Sequence, residues 1–336
     1  MRKSILTLFL SFILFVVLAG CGEKSQEEVL DALDEKAAKM NSYKTEVSMT
    51  LESGEKPQTY RAEIWYKEPS YYRVKLENES KEQSQIILRN DEGVFVLTPA
   101  LNKNFRFQSD WPENNSQIYL YQSLINDILT DTARTVTVDK EDYVFNTKTN
   151  YQNKNLYQQE ITLSKKSLSP KMVKVMDQDM NVLVTAEFSN VEFDAEFDDD
   201  AFDMERNMTS AKLDIPTTSM QEEAFDVFYP LYTAETNLAE ENEVVREGER
   251  QIVLTYTGDD HSFTLIQQRA SIAAEASAPV HYVDGEPVDL GVTVGVMTGN
   301  AITWSHEGVD LFLTSNDMDQ EEMMAVARSV QSAAIK

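Results

Sequence analysis

The chain has 336 residues, 42% of them hydrophobic, with 14 Tyr, 15 Phe and 3 Trp, which is enough for a real core of about two domains and excludes a disordered tail. Its 57 acidic residues outnumber 30 basic ones, for a formal charge of −27. That excludes nucleic acid, whose phosphates demand a basic surface, and argues against adsorption on an anionic membrane surface. One cysteine, Cys21, leaves no internal disulfide, no CxxC redox pair and no thiolate metal site, so the core must carry the stability alone.

Met1-Arg2-Lys3-Ser4 is a short basic stretch and residues 5–19 an apolar or small one, the anatomy of a secretory signal. The run is shorter than the about 20 residues of a comfortable transmembrane helix. Leu18-Ala19-Gly20-Cys21 then resembles the bacterial lipobox at all four positions. The resemblance implies that residues 1–20 are a lipoprotein signal peptide and that the Cys21 thiol receives a diacylglycerol. It also implies that the chain sits on the outer face of the cytoplasmic membrane. Each buried methylene of such an anchor adds roughly 0.8 kcal/mol, against mild repulsion from the acidic body. An ordinary cleaved signal with an incidental cysteine and an uncleaved anchor are the alternatives.

Residues 21–28 read as a lipidated polar tether. Val29, Leu30, Leu33, Ala37 and Met40 recur at three- and four-residue spacing, which predicts a helix over 26–40. The period then changes to two. Val47, Met49 and Leu51, then Tyr60, Ala62, Ile64 and Tyr66, then Tyr72, Val74 and Leu76 alternate with polar residues, and further strands are predicted over 85–89, 94–97 and 104–107. Glu68-Pro69-Ser70 and Asn90-Asp91-Glu92-Gly93 supply turn chemistry. The pattern is that of an antiparallel meander with one apolar and one wet face. Ile118, Tyr121, Leu124, Ile125 and Ile128 mark a helix over 116–129. Strands return over 135–138, 142–147, 155–163, 171–176 and 182–193.

Residues 206–219, ending in Pro216-Thr217-Thr218-Ser219, read as a linker. They separate a domain over 29–205 from a smaller one over 220–336. The smaller domain is expected to have strands over 251–256, 262–268, 287–296, 301–305 and 309–314, and a helix over 319–333 capped by Asn316 or Asp317.

A helix, a long curled antiparallel sheet, an inserted helix and more sheet follow in the order of the LolA-like fold. EIWYKEPSYYRVKLEN resembles that family's strand–Pro–strand hairpin, and DEGVFVLTPALNK its next hairpin; the match covers roughly residues 25 to 205. GNAITWSHEGVDLFLTSNDMDQEEMMAVARSV is similar to a small extracellular domain of Gram-positive bacteria. Together with the lipobox, these resemble the YdcC-type sporulation lipoproteins of Bacillus. The resemblance implies an α+β protein: a LolA-like curled half-barrel covered by helices, plus a small C-terminal α+β domain. It implies a non-enzymatic role in the envelope or forespore, with acyl chains admitted to the concave apolar face. An acylated Cys21 forbids the shuttling of a soluble carrier.

Little in the residues points to catalysis. His261, His281 and His306 are not at metal-ligand spacing, and there is no GxSxG or phosphate-cradling loop. The acidic stretch Asp194 to Asp203 lacks the glycine and closing Glu of a calcium loop and reads as solvated charge. No cofactor and no metal are expected. The candidate site is an apolar cavity lined by Ile64, Val74, Leu76, Ile87 and Leu97, covered by Leu124, Ile125 and Ile128. Its expected ligand is an acyl chain or a lipoprotein. A closed core, with function residing in binding an envelope protein such as a cell-wall enzyme, is the alternative.

Overall fold

The computed structural model describes residues 24–52, 57–78, 84–112, 116–151, 156–213, 225–246, 248–271, 280–291 and 293–332. The lipobox and Cys21 lie outside the described residues. The chain divides into two compact units, Met1–Lys39 and Met40–Lys336. In the first, helix α1 (Gln26–Ala38) begins with a complete capping box: the Ser25 hydroxyl accepts from the Glu28 N–H, and the Glu28 carboxylate accepts from the Ser25 N–H at 2.7 Å.

Among the described residues the second unit has two large sheets and a small two-stranded one. Eleven strands of the larger one follow the alternation of the sequence: β1 (Ser42–Leu51), β2 (Gln58–Lys67), β3 (Tyr71–Asn78), β4 (Ser84–Asn90), β5 (Gly93–Thr98), β6 (Lys103–Phe107), β7 (Thr135–Asp139), β8 (Asp142–Lys148), β9 (Gln158–Ser164), β10 (Pro170–Met176) and β11 (Val182–Phe193). They run in the order β6-β5-β4-β3-β2-β1-β11-β10-β9-β8-β7, so the two meanders join where β1 pairs with β11. This is the expected α+β architecture, a large curled open sheet with helices. On one face the registers align Ile64, Val74, Ile87 and Val96 across β2 to β5, and Phe145, Ile161, Val173 and Ala186 across β8 to β11. Helix α2 (Tyr121–Thr130) lies on this face: the Tyr121 N–H donates to the Tyr43 hydroxyl, and its ring packs on Tyr43 and Phe193. It begins five residues later than predicted, since residues 116–120 form turns.

The opposite face is covered over β4 and β5 by a helix the sequence reading missed. Helix α3 (Met204–Leu213) occupies part of the predicted linker. The Asp203 carboxylate accepts from the Arg206 N–H at its start. Asn207 accepts from Arg73 Nε at 2.6 Å and donates to the Ala201 and Asp203 carbonyls. Met208 and Ala211 join Ala201 and Phe202 in a cluster with Ile86, Leu88, Phe95 and Leu97. Residues 214–219 of the predicted linker lie outside the described residues.

The smaller sheet contains β13 (Asn237–Arg246), β14 (Glu249–Thr257), β15 (Ser262–Arg269), β17 (Glu286–Asp289), β18 (Val294–Thr298), β19 (Ala301–His306) and β20 (Val309–Thr314), in the order β13-β14-β15-β20-β19-β18-β17. Its core packs Leu254, Leu265, Ile302 and Leu313 against Met323 and Val326 of helix α4 (Gln320–Arg328). The cap is Asp319, which accepts from the Glu322 N–H at 2.9 Å. It is neither Asn316 nor Asp317, and the Asp317 carboxylate instead accepts from the Ser262 N–H and hydroxyl. The helix ends earlier than predicted, because β21 (Val330–Ser332) pairs with β12 (Phe228–Pro230). The single strand expected over 287–296 is two, β17 and β18. Gly291 turns the chain between them at φ +87, a conformation side-chain-bearing residues rarely adopt, with its N–H held by Asp289 at 2.7 Å.

One short strand ties the two sheets together. β16 (Val280–Val283) adds in parallel to β6, placing His281 opposite Phe105, and becomes an edge of the larger sheet.

Candidate ligand-binding cavity

Four of the eight predicted cavity residues share one face of the larger sheet, and three more are buried on α2, which lies on that face. Ile64, Val74 and Ile87 form one cross-strand row, and Leu76 lies two residues along from Val74 on the same face. Leu124, Ile125 and Ile128 are buried on α2. Leu97 is not with them. It pairs with Ile86 and points to the other face, into the cluster under α3, while Val96 takes the place opposite Ile87. The error is one residue of register, and in a strand that inverts the face. Ile64, Val74, Leu124 and Ile128 have no exposed area, so this part of the face is filled by the protein's own side chains.

A polar network under α2 reinforces that packing. Asp127, 2% exposed, accepts from the Ser116 hydroxyl at 2.6 Å and from Gln159 Nε2 at 2.7 Å. Gln159 Oε1 in turn accepts from the Tyr151 hydroxyl at 2.6 Å. Burial pushes the Asp127 carboxyl above its ordinary range, and the two donors partly offset this. None of these four side chains leaves a buried polar atom without a partner, which is what a buried network needs in order to be structural.

Where the face continues beyond α2, the smaller sheet covers it, and the contact is closely keyed. Gln85 Oε1 accepts from the Val294 N–H at 2.7 Å and the Thr293 hydroxyl at 2.8 Å. The Ser109 hydroxyl donates to Glu286. Between these contacts a cavity of about 380 Å³ remains, within the range of about 300–1,000 Å³ typical of small-molecule sites. One wall is β5, β6 and Gln85 of β4 in the larger sheet; the other is β15, β18, β19 and β20 of the smaller one.

The registers give each wall a polar row and an apolar row. On the larger sheet Thr98 stands opposite Lys103, and two residues along Val96 stands opposite Phe105. On the smaller sheet Gln268, Asp310 and Ser305 form one row, and Ile266, Phe312, Thr303 and Val296 the next. The polar rows are joined: Lys103 Nζ donates to both Asp310 oxygens at 2.6 and 2.8 Å, and the Ser305 hydroxyl donates to Asp310 at 2.5 Å. This ion pair is largely withdrawn from water, its side chains 17% and 16% exposed, whereas Phe312 is 37% exposed. Among the described residues, Lys103 is the one cation lining the cavity and Asp310 the one anion.

None of the eight residues expected to form a cavity lines this one, although Val96 continues the row of Ile64, Val74 and Ile87. Val96 and Phe105 were legible as alternating strand residues. Their partners lie some two hundred positions away on another sheet, and nothing in local periodicity announces that pairing. The acidic stretch is partly neutralised by Arg206, which pairs with Asp198 at 2.8 Å and with Asp200, while Phe202 within it is buried. Among the described residues no group of three or more His, Cys, Asp or Glu is arranged to hold a metal ion. His306 is withdrawn from water, and burial lowers its pKa; His281 is an exposed strand residue.

Comparison with known proteins places these features in context. A family model described as "Sporulation protein YdcC-like" matches residues 1–202. The sporulation protein YdcC of Bacillus subtilis (strain 168) is 47% identical over 337 residues, covering 100% of this chain and 99% of that one. Among solved structures, the chain is similar to one from the Pseudomonas aeruginosa MucA/MucB complex, at 14% identity and TM-score 0.33, covering 90% of this chain and 99% of that one. It is also similar to a LolA superfamily protein from Nitrosomonas europaea, at 12% identity and TM-score 0.30, covering 54% of this chain and 98% of the other.

Proposed function

The chain belongs to the YdcC-like family of sporulation proteins, and from that premise we propose that it is a non-enzymatic envelope lipoprotein of the sporulating cell that holds a lipid or an acylated protein. Anchorage through Cys21 on the outer face of the cytoplasmic membrane is part of the reading, and the complete lipobox supports it. The observation that carries the binding role is the cavity between the two sheets, about 380 Å³, with apolar rows on both walls. An apolar cavity with few, localised polar groups is the ordinary form of a site for a mostly apolar ligand.

Native mass spectrometry of the full chain carrying Cys21→Ser, purified without detergent, tests this. Co-purifying acyl species are expected on the protein. Thr303→Trp, at an exposed position of the cavity wall, should abolish them while shifting stability by no more than about 0.5 kcal/mol. The packed centre under α2 supports a second reading, a module that binds only an envelope protein. A protein with no bound lipid, whether as purified or after incubation with vesicles, would favour that reading.

A further inference from the structure

The cavity has a chemical polarity, and its charges cancel. At one end of both walls stand Thr98, Lys103, Asp310 and Ser305; two residues along each strand stand Val96 and Phe105, facing Ile266 and Phe312. Lys103 and Asp310 are paired to each other through two contacts. A ligand that brings a net charge to this end must either leave that charge without a partner or take one side chain from the other, and both are costly in a site withdrawn from water. A head with no net charge meets neither penalty. A zwitterion is matched twice over, its anionic group toward Lys103 and its cationic group toward Asp310.

We infer that the cavity takes an acyl amphiphile with no net charge, its head at the Lys103–Asp310 pair and its chain along the Val96–Phe105 and Ile266–Phe312 rows. The inference rests on the lipid-binding reading above and adds which lipid is chosen and in which direction it lies. The formal charge of −27 acts in the same sense, since it opposes the approach of anionic lipids.

The test uses the full chain carrying Cys21→Ser, incubated with vesicles of equal parts phosphatidylethanolamine and phosphatidylglycerol, then examined by native mass spectrometry. The zwitterionic lipid should be retained roughly tenfold over the anionic one. Asp310→Asn frees the Lys103 charge and should turn the preference toward phosphatidylglycerol. A second measurement needs no variant: the same protein should hold monopalmitoylglycerol and reject palmitate, two ligands with one chain and different head charge. Absence of any lipid from the unsubstituted site would sink the binding reading itself. Lipid taken up without regard to head charge, or with the anionic forms preferred, would leave that reading standing and overturn this one.

Discussion

Asp127 shows how much one side chain can carry. It is the common acceptor of the Ser116 hydroxyl and Gln159 Nε2, so Asp127→Ala leaves two buried donors without a partner. The expected cost is about 2–4 kcal/mol in urea unfolding. Burial raises this carboxyl above the ordinary value of 3.8. A raised acid binds its proton more tightly in the folded state, so the associated stability is fully present below the ordinary value and is lost as pH rises through the raised one. Asp127→Asn should therefore flatten the stability profile on the alkaline side of 3.8, and an unchanged slope would show that the carboxyl is not the source. No local pattern marks this residue. An acidic position between Ile125 and Ile128 reads as the wet side of an amphipathic helix, and its burial depends on β9 bringing Gln159 across from a distant segment.

At the scale of elements, the hairpins of the larger sheet were legible because alternation, turn residues and burial all agree. What escaped was structure whose reason lies elsewhere in the chain. MERNMTSAKL has a weak apolar stripe, and its helix is fixed by the contact of Asn207 with Arg73 and by Met208 over Ile86 and Leu88. Asn207→Ala should cost about 1–3 kcal/mol, since it strips Arg73 Nε of its acceptor, and should speed amide exchange within Met204–Leu213. Unchanged exchange there would mean apolar packing alone docks the helix. NLAEENEVVR shows no strand pattern for the opposite reason. All ten residues of β13 are exposed, so no buried face imposes a period of two. Its placement comes from pairing with β14, and its glutamates suit an edge that must not recruit another strand.

For the whole molecule, the seam between the sheets decides both stability and site. Gln85 supplies acceptors for a backbone N–H and a hydroxyl of the smaller sheet. Gln85→Leu should destabilise the protein by about 2–4 kcal/mol. If the seam is as binding as these contacts imply, calorimetry of the unsubstituted protein should show one transition for residues 40–336, and the variant should broaden or split it. The seam was also the least legible part of the sequence. Most strands of both sheets could be read from alternation and turn signals, but which faces meet depends on complementarity between segments that carry no local record of each other.

The parallel strand β16 has a consequence for the order in which the protein can assemble. Arg106 and Tyr282, hydrogen-bonded across β6 and β16, stand 176 positions apart. As the chain is synthesised from its N terminus, β1 to β6 can zip as local hairpins, yet the outer edge of β6 stays open until β13 to β15 of the smaller sheet have also been made. Contacts of such long separation are slow to close, and an unfinished edge is the surface on which chains pair wrongly with one another. Synthesis of the larger sheet thus commits the cell to shielding a raw strand edge until residue 283 arrives, and β18 to β20, which wall the cavity from the other side, are made only after it.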